Sequence, residues 1–131
     1  MTFRLRSLLS TSLLAATLLS ACGSSDAPGA PAALPPEAIA KANEIFVQRC
    51  TPCHGASGHG DGTASGTLDP KPRNFSDPTW QKSVTDDYIV KIIKVGGAGV
   101  GKSAAMPSNP DIRNADVLAA LKNKVRGFAG K

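Results

Sequence analysis

The chain has 131 residues, with 15 Lys or Arg against 10 Asp or Glu, three cysteines and two histidines. That length holds one small domain once any leader is set aside. The formal net charge of +5 is too modest to point to nucleic acid, and cysteines this few exclude a disulfide-stapled scaffold.

Arg4 and Arg6 precede the apolar stretch SLLSTSLLAATLLSAC. Its uncharged core is shorter than the ~20 residues a membrane-spanning helix needs, and the pattern is that of a secretory signal. Its end, LSAC at Leu19–Cys22, resembles the lipobox of bacterial lipoproteins. That resemblance implies a signal peptide over residues 1–21, cut just before Cys22, and acylation of Cys22. Removal of Arg4 and Arg6 leaves thirteen basic residues against ten acidic ones, a net charge of +3. Residues 22–35 then form the lipidated cysteine and a Gly-, Pro-, Ser- and Ala-rich tether with no helical or strand period. Thirteen extended residues reach about 43–47 Å at most, so a domain over residues 36–131 is expected to stay near a membrane surface.

In that domain, Ile39, Ala42, Ile45 and Phe46 fall at helical spacing and predict a first helix whose apolar face they form. Cys50-Thr-Pro-Cys53-His54 follows at its end. A thioredoxin-like dithiol would sit at a helix start within a βαβ pattern instead. A structural zinc site needs four ligands, and no second Cys/His pair accompanies this one. Covalent haem attachment fits. Two cysteines one turn apart can each bond one vinyl group of the porphyrin, and the adjacent histidine falls beside the iron as its proximal ligand. Cys50, Cys53 and His54 are therefore the expected cofactor-binding residues, with His54 ligating the metal.

Further along, Thr85 reads as an N-cap, Asp86 and Asp87 as a first turn, and Ile89, Ile92 and Ile93 as one helix face. The stretch GGAGVGKS after it, Gly96–Ser103, satisfies the letters of a nucleotide-binding P-loop. A P-loop must open into a helix, however, and Pro107 and Pro110 would break one there. No nucleotide is expected. Met106 is the one methionine outside the leader, and it lies in a Gly-, Ser- and Pro-rich loop rather than a core segment. A thioether is a soft ligand that suits haem iron and favours its ferrous state. His59, Lys94 and Lys102 are weaker rivals for that sixth position. The last helix starts near Asn114, with Val117, Leu118, Leu121 and Val125 as its apolar stripe and Lys122, Asn123 and Lys124 toward water. So few apolar residues make a poor core alone, and the apoprotein is expected to be largely disordered without haem.

Taken together, CHGASGHGDG, KPRNF, GGAGVGKSAAMP and VLAALKNKVRGF resemble the class I cytochrome c family over about residues 37–128. The resemblance implies an all-α fold of three to four short helices and long loops wrapped around one covalent haem c, with Met106 as the second axial ligand. In that family a proline carbonyl supports the proximal histidine, a role open here to Pro70 or Pro72. Arg73 and Trp80 are candidate partners of the haem propionates. The last helix often carries an aromatic before Val-Arg, where this chain has Lys124. The implied function is one-electron transfer by an extracytoplasmic, periplasmic protein. It is lipid-anchored to a membrane and exchanges electrons with membrane-bound or periplasmic redox partners. Two other functions share these residues, a small-ligand sensor or weak peroxidase with a labile Met106, and an electron-entry subunit of a membrane oxidoreductase.

Overall fold

The computed structural model describes residues 33–131. The expected signal peptide, Cys22 and the tether as far as residue 32 lie outside the described residues. Among the described residues there is no strand, and no helix is long and apolar enough to cross a membrane.

Helix α1 (Pro36–Ile45) begins with proline at its first position, where the absent N–H has no partner to lose. It packs chiefly on the C-terminal helix α5 (Ala115–Arg126). Ile39 is 45% exposed, so it is not part of the apolar face expected from the spacing. The buried stripe is Ala38, Ala42, Ile45 and Phe46, positions i, i+4, i+7 and i+8 of one helix face. α1 then widens into a π-helical turn, Phe46–Cys50, and tightens again into the single-turn α2, Thr51–His54. The backbone N–H and the hydroxyl of Thr51 both meet the Phe46 carbonyl, which keeps the wide turn's acceptor satisfied.

Helix α3 (Pro78–Ser83) has no counterpart among the sequence expectations. Asp77 starts it by accepting the N–H groups of Thr79 at 2.8 Å and Trp80 at 3.2 Å. Helix α4 (Asp86–Val95) is capped by Thr85, as expected, and ends at Gly96. α5 is capped by Asn114, and Val117, Leu118, Leu121 and Val125 are all buried. Two of its lysines do more than face water. Lys122 donates to Asp86 at 2.9 Å. Lys124 lays its ammonium 5.0 Å from the centroid of Phe46 and donates to Asn43 at 2.9 Å. Its ammonium thus joins α5 to Asn43 of α1 and to the ring of Phe46 in the π turn.

One charged residue fastens the C-terminal end of α5 to the α3–α4 turn. Arg126 donates to Asp86 at 2.8 Å, to the Gln81 carbonyl at 2.6 Å and side chain at 2.9 Å, and to the Val84 carbonyl at 2.7 Å. The buried Gln81 amide in turn donates to the carbonyls of Phe75 at 2.7 Å and Val125 at 2.9 Å. Arg126→Ala strands several part-buried acceptors at once. It is expected to lower stability by ~2–4 kcal/mol, measured as a fall in the urea midpoint with an unchanged slope.

Candidate cofactor site

The π turn places the cysteines. Cys50 closes it, and Cys53 and His54 follow within α2. Both thiols are free and half-buried. Burial pushes the Cys50 thiol up to about 11, against the opposing pull of Arg49. At neutral pH it is a protonated thiol, whereas a redox dithiol needs a stabilised thiolate.

The His54 Nδ1 lies 3.1 Å from the Arg73 carbonyl. A carbonyl only accepts, so Nδ1 carries the proton and Nε2 keeps its lone pair for a metal. Neither Pro70 nor Pro72 plays this part, which falls to the backbone of the residue after Pro72. Burial holds the His54 pKa below the usual imidazole value, with the Arg73 carbonyl opposing. The ring is therefore neutral at pH 7, the form that ligates. It stacks on Phe75, with centroids 4.4 Å apart and planes at 16°. Phe75 is fixed by donating its N–H to the Gly58 carbonyl at 2.7 Å and by packing against Trp80 and Phe128. Gly58 has φ +74, and a Cβ there would stand 2.8 Å from the Phe128 ring, so this loop position requires glycine.

Met106 is half-buried in the loop between α4 and α5. The Gly97 N–H donates to its carbonyl at 3.0 Å. At Gly96, with φ +72, a Cβ would approach that same carbonyl to 2.7 Å. The double glycine that imitated a P-loop thus lets the chain pass close to the methionine segment. A short 3-10 turn, Ala98–Val100, ends at Gly101, and no helix follows the P-loop letters.

Cys50, His54 and Met106 line one cleft, whose other walls are mostly apolar: Ile45, Phe46, Phe75, Ile93, Ile112, Leu121 and Val125, with Asn109 the one further polar side chain. A thiol, a neutral imidazole with a free lone pair and a thioether on apolar walls form a donor set that fits haem. Cys53 lies one turn from Cys50 on the same helical run. A more open hollow around Thr51, Pro52, Asp61 and Gly62 holds neither His54 nor Met106.

The remaining candidates do not line the cleft. His59 is exposed, with Nε2 3.3 Å from the Lys131 carbonyl. Lys94 and Lys102 are exposed as well. Arg73 lies 6.0 Å from the Trp80 ring centroid and 3.9 Å from Asp77, so its side chain stays on the surface while its carbonyl meets His54. Sequence reasoning passed over Phe75 as a contact of the histidine, although it stood in a quoted motif. It also passed over Arg49, Asn109 and Asp111, whose side chains meet across some 60 residues of chain.

Comparison with known proteins bears on this arrangement. The family described as Cytochrome c matches residues 39–122. A solved structure described as "KustC0563 c-type cytochrome" is similar at 27% identity, over 66% of this chain and 94% of that one, with a TM-score of 0.48. No curated protein matches the chain.

Proposed function

Because the chain belongs to the cytochrome c family and so binds haem c covalently, we propose that it is a one-electron carrier with His54 and Met106 as axial ligands. The observation that carries this is the convergence of His54, Met106 and Cys50 on a single apolar cleft. When bound, the haem supplies the ferric/ferrous couple. Cys50 and Cys53, both free thiols, would hold it through thioether links to its two vinyl groups. The Arg73 carbonyl fixes the His54 tautomer and ring direction, which strengthens the imidazole as a donor. Phe75 limits rotation of that ring by stacking on it. Met106, which lines the same cleft, would supply the second protein ligand to the iron and so leave no position for a substrate. The apolar walls exclude water and help set the potential.

The family is extracytoplasmic in character, and a leader with a lipobox would place this domain there, tethered through Cys22 and exchanging electrons with other proteins. The test is a visible spectrum of the purified mature protein, oxidised, then reduced, then exposed to carbon monoxide. Sharp ferrous haem c bands, a far-red ferric sulfur band and no response to carbon monoxide are expected. Missing sulfur absorption together with a carbon monoxide shift would refute the Met106 assignment and turn the reading toward a sensor or peroxidase. Purification at fixed stoichiometry with a membrane enzyme would make it an electron-entry subunit rather than a free carrier.

A further inference from the structure

Arg49, the residue before Cys50, is joined to the loop that carries Met106. Its guanidinium donates to the two carboxylate oxygens of Asp111 at 2.9 and 2.8 Å, and to the Asn109 side chain at 3.2 Å. Asn109 passes the connection on, donating from Nδ2 to the Ile93 carbonyl at 2.9 Å and from its backbone N–H to the Lys94 carbonyl at 3.0 Å. One side chain therefore links the cysteine segment, the residues just beyond Met106 and the end of α4. We propose that Arg49 is a positioning residue that holds the Met106 loop closed over the cleft and sets how often Met106 leaves the iron. This rests on the reading of Met106 as a ligand.

The energetics fit a local latch better than a global brace. The Arg49 and Asp111 side chains are 42% and 59% exposed, and a single ion pair at such exposure contributes little. The planar fork matched to both carboxylate oxygens, with Asn109 beside it, makes this pair stiffer than most at the surface. Met106 itself is half-buried in a loop, and loops as a class open at a lower free-energy cost than packed helices. A small stabilisation spent wholly on that loop changes its opening frequency while leaving the α1–α5 packing untouched. An exposed latch is also screened by salt.

The test measures how fast cyanide is taken up by the ferric holoprotein, since cyanide reaches the iron only after Met106 has left. Arg49→Ala is expected to speed uptake about three- to tenfold. Added salt should speed the wild type and leave Arg49→Ala nearly unchanged. Asp86→Asn serves as the control. It breaks a pair with Arg126 and Lys122 remote in sequence from both the attachment segment and the Met106 loop, and should leave uptake at the wild-type rate. Equal rates in Arg49→Ala and wild type would overturn the proposal, as would an equal acceleration by Asp86→Asn. Absence of the far-red sulfur band from the untouched protein would instead refute ligation by Met106, a failure separate from that of the latch.

Discussion

Replacing Met106 with alanine is expected to open the sixth position of an otherwise folded protein. The loop's backbone contacts survive the change. Gly97 still donates to the carbonyl of residue 106, and Asn109 still reaches Ile93 and Lys94. The soft donor is what disappears, and with it the preference for the ferrous state. Three results should follow together: loss of the far-red sulfur band, binding of carbon monoxide by the reduced protein, and a fall in potential on the order of 0.1–0.3 V, within the range commanded by axial ligands. The test is clean because the chain's other methionine is Met1, within the expected leader. Retention of the sulfur band in the variant would leave no methionine in the domain to account for it. His59, five residues past His54 and exposed on its own loop, is not placed to fill the opening.

The parts of this site that were legible in the sequence are those where side-chain chemistry dictates residue type. Cys50, Cys53 and His54 were named from thiol and imidazole chemistry and Met106 from its thioether together with the family resemblance, and three of the four line the cleft. The support of His54 was not legible for the complementary reason. A carbonyl acceptor belongs to every residue, so the choice of Arg73 is made by the path of the loop and leaves no mark on residue type. Arg73 drew notice for its guanidinium, while its backbone meets the histidine. Ile39 misled in another way. Alanine reads as a weak apolar signal, so the stripe led by Ala38 and Ala42 was harder to see than one led by a large side chain. Arg126 and Gln81 were invisible because their partners lie about 45 residues apart, and a charged residue in a sequence is read first as solvated. The same habit placed Lys124 in water, although its ammonium lies against Phe46.

Removal of haem is expected to cost this protein its cooperative fold. The reason lies in which residues form the core. The buried apolar cluster includes Ile45, Phe46, Phe75, Ile112, Leu121 and Val125, and all six also line the cofactor cleft. Core and binding site therefore share half of the buried cluster, including most of its large side chains. Among the described residues only Phe46, Ile89 and Leu121 are both large and wholly buried, little to set against ordering a domain at a backbone cost of roughly 1–2 kcal/mol per residue. Haem brings a large apolar surface to the middle of that cluster, so its binding energy is folding energy. A Cys50→Ser, Cys53→Ser double variant freed of haem should show weak helical circular dichroism, poorly dispersed amide resonances and no sharp thermal transition. Haem added back to it should restore helicity in proportion to the amount bound, because His54 and Met106 are still present to hold it. Attachment through the cysteines would then act mainly by keeping the cofactor within reach of a chain that unfolds without it. Dispersed resonances and a cooperative transition in the haem-free variant would mean that α1, α4 and α5 carry enough apolar contact by themselves, and that haem enters a domain already built.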